Sequence, residues 1–254
     1  MVYTLSVKTG YFDAHDHLQY FRTEDELEAA MGAAGAACVH GMLCCGTCPE
    51  DWGRVLEISG RYPLVRPAFG LHPWAAAEGG WLEKLEEFLR RCPRAAVGEI
   101  GLDGVKDLPG QEENFSAQLQ LAARFCRPAV IHCVKSWGRM LELLKKAGLP
   151  GFMLHAYGGS PEMIKDLAAL GGYFSFGGEL TDPKRAKLRA ALAAVPRDRL
   201  LLETESPEPD APGWRAGPAG IAEVTAAAAA ELGLPAGELA DITYENAVRF
   251  LKEL

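Results

Sequence analysis

PAVIHC, residues 128–133, is an apolar run closed by a histidine, and GFMLHA, residues 151–156, repeats that arrangement one unit later. Each run is too short for an ordinary helix and is opened by proline or glycine. That is how a strand buried on both faces reads. Working outward, the same kind of segment recurs upstream as AAVGEIG (95–101), LVRPAFG (64–70), CVHGMLCC (38–45) and YFDAH (11–15). Downstream it recurs as GYFSFG (172–177) and RLLLET (199–204).

Helical stretches fill the intervals. Thr23 to Glu26 has the capping-box pattern ahead of the apolar positions Leu27 and Met31. Ser160-Pro161 and Asp182-Pro183 each place a capping residue before a first-turn proline. Leu82, Leu85, Phe88 and Leu89 recur at helical spacing, and 219–232 and 244–253 add helices near the end. Eight strands alternating with helices, without a linker or composition break, predict one domain over 1–254 with a (β/α)8 TIM-like barrel.

Composition narrows the function classes. The chain has 254 residues, 48% of them hydrophobic, enough to bury a large core. Seven scattered cysteines read as reduced thiols, and the first residues lack the basic-then-apolar order of a signal peptide. No apolar run approaches a bilayer span. The expected location is therefore the cytoplasm. A net charge of −8 argues against wrapping duplex nucleic acid, but it leaves open a strand end gripped beside bound metal ions.

Histidines and carboxylates collect at the carboxyl ends of the expected strands, the face on which barrel enzymes assemble their sites. His15 and His17 close the first strand. Residues two apart in extended backbone share a side, so both imidazoles can reach one ion. Asp16 then points away, to orient neighbours or cap a turn. Glu99 lies in an apolar strand, where a carboxylate is costly unless it is paired or bound to a cation. A lone histidine at a strand end is more often structural than a ligand. His132 and His155, at corresponding positions of consecutive units, make a joint structural explanation weaker. Glu205, after the last strand, can hold a metal and accept the proton of a catalytic water.

His15, His17, Glu99, His132, His155 and Glu205 are thus the expected ligands of one or two divalent ions, with zinc, magnesium and manganese all open. Two histidines with Glu205 would serve one ion and two histidines the other, with Glu99 between. Such a pair favours hydrolysis of a phosphodiester or another ester.

The remaining features are less specific. His72 in GLHPW lies on the same face, suited to substrate contact or to supporting a ligand, with a structural role as the alternative. Asp103 reads as a supporting acceptor or a helix cap, and Trp74 as packing or a stacking surface. Cys45-Gly-Thr-Cys48, with Cys44 adjoining, lacks further ligands and a thioredoxin-like setting, so it reads as strand-end packing. His40 reads as structural. Lys184, Arg185, Lys187 and Arg189 read as a solvated helix face, with phosphate binding as the alternative.

FDAHDHL (12–18), GLHPW (70–74), AVGEIGLD (96–103), QEENFSAQLQLAARFCRPAVIHC (111–133), MLHAYGGS (153–160), YFSFGG (173–178), VPRDRLLLETESP (195–207) and ITYENAVRFL (242–251) together resemble the TatD family of metal-dependent hydrolases. The resemblance spans almost the whole chain in order. It implies an amidohydrolase-like barrel and a divalent-metal nuclease or phosphoesterase, usually a 3′ to 5′ exonuclease on DNA. It also implies that the six residues above are ligands, with Glu205 as proton acceptor.

The sequence departs from the family pattern in three places. Glu205 stands where the family has Asp, His132-Cys133-Val134 replaces H-x-R with Lys135 next, and Arg215-Ala216-Gly217-Pro218 replaces R-N-x-P. The first two leave two other readings open: an esterase for a small or aminoacyl-type ester, and a metal-binding descendant without turnover.

Overall fold

Eight strands hydrogen-bond side by side in chain order: β1 (Tyr11–Asp16), β2 (Val39–Cys45), β3 (Val65–Phe69), β4 (Ala96–Asp103), β5 (Ala129–Val134), β6 (Phe152–Leu154), β7 (Gly172–Phe176) and β8 (Leu200–Leu202). Every neighbouring pair is parallel. The computed structural model describes residues 10–76, 79–106, 108–207 and 217–251. The Arg215-Ala216 part of the late departure lies outside them.

Helices alternate with the strands: α1 (Glu24–Ala36), α2 (Trp52–Arg61), α3 (Trp81–Arg91), α4 (Gln111–Arg124), α5 (Trp137–Ala147), α6 (Pro161–Ala169) and α7 (Ala186–Ala194). α8 (Ile221–Leu232) and α9 (Ala236–Leu251) follow the last strand. The Thr23 capping box forms: its hydroxyl accepts the Glu26 N–H at 3.2 Å, and the Glu26 carboxylate accepts the Thr23 N–H at 3.3 Å. Such a cap contributes about 1 kcal/mol. Ser160-Pro161 opens α6 as expected.

Two helix starts differ from the sequence reading. α7 begins at Ala186, not after Asp182, because the Asp182 carboxylate accepts the Lys184 N–H at 2.9 Å and closes a local turn instead. α9 begins at Ala236, eight residues before the expected 244. Leu239 N–H donates to the Pro235 carbonyl at 3.1 Å and winds the segment before 244 into the same helix.

The core has two layers. One lies between strands and helices, around Trp52, Phe69, Phe115 and Phe152. The other fills the barrel with residues from all eight strands, among them Phe12, Val130, Met153, Tyr173 and Leu201. Phe250 of α9 closes one end against Tyr173 at 5.3 Å between ring centroids. The other end of the barrel is polar.

β8 and β1 share no regular ladder among the described residues; beyond the end of β8, Glu205 N–H donates to the His15 carbonyl at 3.0 Å and His17 N–H to the Ser206 carbonyl at 2.7 Å. No described helix is long and apolar enough to cross a membrane.

Candidate metal centre

Two β-bulges decide which side chains reach the polar end. In β1, Asp13 pairs with Met42 and Asp16 with Cys44, so three steps on one strand match two on the other. Strict alternation from the interior residues Phe12 and Ala14 would turn His15 outward; the extra residue turns it inward. β4 shifts the same way between Val97 and Ile100, and Glu99 takes the inward place after Ala96. β5 and β6 need no such device, because His132 follows interior Val130 and His155 follows interior Met153 at the plain two-residue period. Gly101, at φ +155°, permits the close approach of β4 to β5; a Cβ there would lie 1.9 Å from the His132 carbonyl oxygen.

All six expected ligands meet. His15 Nε2 lies 3.2 Å from His17 Nε2, 3.3 Å from Glu99 Oε2 and 3.4 Å from Glu205 Oε2. His17 Nε2 lies 3.4 Å from Glu99 Oε2 and 3.3 Å from Glu205 Oε1. A tetrahedral ion about 2.0–2.1 Å from each donor has donor–donor edges of about 3.3–3.4 Å, so this donor set fits a first-row divalent cation. The other Glu99 oxygen, Oε1, lies 3.1 Å from His132 Nδ1 and 2.8 Å from His155 Nε2, which are themselves 3.2 Å apart. Glu99 therefore offers one oxygen to each group of imidazoles.

The surrounding hydrogen bonds select the imidazole tautomers. His17 Nδ1 donates to the Cys45 carbonyl at 2.7 Å, leaving a lone pair on Nε2. His132 Nε2 donates to Asp103 Oδ2 at 3.3 Å, leaving the lone pair on Nδ1. His72 is arranged the opposite way. Its Nδ1 accepts the Trp74 N–H at 3.1 Å, so the neutral ring carries its proton on Nε2 and donates to Glu99 Oε1 at 3.1 Å. Burial lowers the His72 pKa and keeps that neutral form. His72 thus orients Glu99 rather than presenting a lone pair to an ion.

The electrostatics are those of a cation site. Burial opposes ionisation of Glu99, but the His155 charge and the donors around it hold its carboxyl well below the usual range. Glu205 is likewise held low, against burial, by His15 and His155. Conversely, burial disfavours charged His17 and His155, yet Glu205 and Glu99 raise both well above the ordinary imidazole value. Without a metal, protons hold these negative charges together; a divalent ion would replace them.

The sequence reading passed over Glu203, which is buried at the end of β8. Its Oε1 accepts the Ala156 N–H at 2.7 Å and lies 3.7 Å from His155 Nδ1, fixing the strand end that carries His155. The two-residue period from Leu201 was the signal that could have found it. Asp103 supports His132 but caps no helix: it accepts the Val105 and Lys106 N–H groups in the loop after β4, while α4 starts at Gln111 behind Gly110. Although burial opposes it, those amides hold the Asp103 carboxyl ionised, with a pKa of about 2. Gln118, also unforeseen, clamps the Leu71 N–H and carbonyl at 2.7 and 3.1 Å and so fixes the loop carrying His72.

The discounted features stay outside the cluster. Cys44 and Cys45 are buried free thiols, pushed well above the usual range by burial, and Cys48 is a free thiol beside them. His40 is exposed. In the basic cluster, Arg189 donates to the Leu180 and Asp182 carbonyls and Arg185 pairs with Glu179 at 2.8 Å, so both tie down their own helix region.

A parallel eight-stranded barrel whose carboxyl end gathers buried histidines and carboxylates around a divalent-cation site defines the amidohydrolase-like class of metal-dependent hydrolases. The profile of one family in that class, described as TatD related DNase, matches residues 12–252, and the chain belongs to this TatD family. It is 35% identical over 200 residues to the 3′-5′ ssDNA/RNA exonuclease TatD of Klebsiella pneumoniae, covering 74% of each chain. It is 32% identical over 216 residues to the uncharacterized metal-dependent hydrolase YjjV of Escherichia coli, covering 82% of this chain and 83% of that one. The crystal structure of the Escherichia coli TatD homolog YJJV superposes with a TM-score of 0.87 at 29% identity, covering 96% and 98% of the two chains. A TatD family hydrolase from Entamoeba histolytica shares the fold at a TM-score of 0.82 and 18% identity.

Proposed function

We propose that this protein is a metal-dependent phosphodiesterase that shortens single-stranded nucleic acid from its 3′ end. The observation that carries the reading is the division of Glu99, whose two oxygens face two separate sets of imidazole nitrogens. In this reading His15, His17 and Glu205 would hold one ion and His132 and His155 the other, with Glu99 facing both sets. When bound, such a pair of ions lowers the pKa of water and stabilises charge on the attacked phosphate and the departing oxygen.

The chain's own residues supply the rest. Glu205 is less buried than Glu99, its side chain one-third exposed although Oε2 itself is shielded, so it stands nearer substrate space and can accept the proton of the attacking water. His72 and Asp103 hold Glu99 and His132 in orientation through the hydrogen bonds described above. The exonuclease activity printed for the Klebsiella relative supports a nucleic-acid substrate.

The test is end-labelled single-stranded DNA with protein loaded with Mg²⁺, Mn²⁺ or Zn²⁺, beside a panel of phosphate and carboxylic esters. Stepwise shortening from the 3′ end, lost in His132→Ala and on chelation, is the expected result. Turnover of carboxylic esters with intact DNA would replace this reading by that of a small-ester hydrolase. Silence towards every substrate would leave a metal-binding protein without turnover.

A further inference from the structure

All four large hydrophobic side chains exposed among the described residues lie on loops at the metal-bearing end of the barrel: Tyr20 after β1, Trp74 after β3, and Val105 and Leu108 after β4. Tyr20 stands beside His17, with ring centroids 5.5 Å apart, but its hydroxyl is engaged by Thr47 and Asp51. Trp74 is 48% exposed. Its ring centroid lies 5.7 Å from that of His132, and its indole N–H donates to Asp103 Oδ2 at 2.6 Å. That hydrogen bond fixes the ring beside the site while leaving half of it in solvent.

The Lys106 ammonium rests 3.5 Å from the centroid of this same ring. Among the described residues Lys106 has no carboxylate partner, whereas Arg139, on the neighbouring α5, is paired with Glu112 and Glu142. A cation resting on an exposed aromatic face is weakly held there and can be drawn away by a phosphate. Val134 puts no cation at its position, and Lys106, over the ring that stands beside His132, is placed to meet a phosphate on this side of the site.

We propose that Trp74 and Lys106 form a nucleotide subsite at the rim, the indole stacking a base next to the cleaved bond and Lys106 leaving the ring to pair with the adjacent phosphate. The subsite makes the site selective for a nucleoside-bearing phosphodiester over a bare phosphate ester. It rests on the nucleic-acid reading above.

The test is equilibrium binding by fluorescence anisotropy of metal-loaded protein to a labelled phosphorothioate oligothymidylate. A matched abasic strand carries the same backbone without bases. Stacking one base is expected to favour the base-bearing strand by about 5- to 150-fold. Trp74→Leu should abolish that preference, while Trp74→Phe, which keeps a ring but loses the indole donor to Asp103, should retain most of it. Lys106→Gln should weaken both strands alike and reduce the single-strand salt slope by about 0.7.

Equal binding of the two strands by the wild-type protein, or a Phe variant as impaired as the Leu variant, would overturn the subsite. The latter result, with lower metal content in both, would make Trp74 only a positioning residue for Asp103. These outcomes are separable from failure of the functional reading. If wild-type protein degrades DNA but shows no base preference, only the subsite falls; if it neither binds nor degrades either strand, the nucleic-acid reading falls as well.

Discussion

Asp13 in β1 and Thr204 just beyond β8 are joined across the barrel seam, the Asp13 carboxylate accepting the Thr204 N–H at 2.9 Å and also the Thr204 hydroxyl. No regular ladder closes this seam among the described residues. Thr204 is flanked by Glu203 and Glu205, so the same contact that completes the barrel sets the last two acidic groups of the site. Asp13→Ala removes the acceptor of the buried Thr204 N–H, while the Thr204 hydroxyl keeps Ser206 Oγ at 2.9 Å, and should cost about 1–3 kcal/mol, read from urea unfolding. Metal content should fall with it, because Glu205 loses its anchor. Unchanged stability and metal content would mean that the backbone bonds of Glu205 and His17 close the seam alone.

In the proposed function Glu205 has both an ion to hold and a proton to accept. Glu205→Gln should lower kcat by about 10²–10⁴ if it accepts the water proton. Glu205→Asp should keep measurable activity, since a carboxylate remains one methylene back. Inductively coupled plasma analysis of both variants separates lost metal from lost proton transfer. A Gln variant with full metal and full kcat would remove Glu205 from the chemistry.

Asp103 acts on the metal site through His132. Asp103→Asn can present the wrong group to His132 Nε2 and should weaken metal affinity or activity by about 10–100-fold. Competition with a coloured chelator reads the affinity. A variant with native affinity and rate would reduce Asp103 to a cap for the loop at Val105 and Lys106.

Metal binding should strengthen as pH rises. His17 and His155 have folded values raised well above 6.5 without metal, so the stability they confer on the metal-free protein is complete below pH 6.5 and is lost as pH rises through those raised values. Glu99 and Glu205 act oppositely: their depressed values confer stability above pH 4.5 that is lost as pH falls through them. A metal must displace the histidine protons, so the gap in denaturation midpoint between loaded and chelated protein should widen from pH 6 to pH 8. A constant gap would show that no proton leaves on binding.

The sequence by itself determined the alternation of strands and helices, the family, and the six residues that meet at one end of the barrel. Those features are local: apolar runs, caps, and polar residues at strand ends survive in any register. The tertiary structure alone decided how the residues meet. Alternation read from Phe12 and Ala14 turns His15 outward, and only the extra residue between the Asp13 and Asp16 pairings reverses it. A bulge is a mismatch between two strands, and neither strand announces it alone. The same holds for Glu99, whose two oxygens are divided by partners from β1 on one side and from β5 and β6 on the other. The His72 tautomer is set by the Trp74 N–H, and Glu203 acquires its role from Ala156, 47 positions away in the chain. These are relations of register and hydrogen bonding between distant segments, which exist only once the barrel has closed.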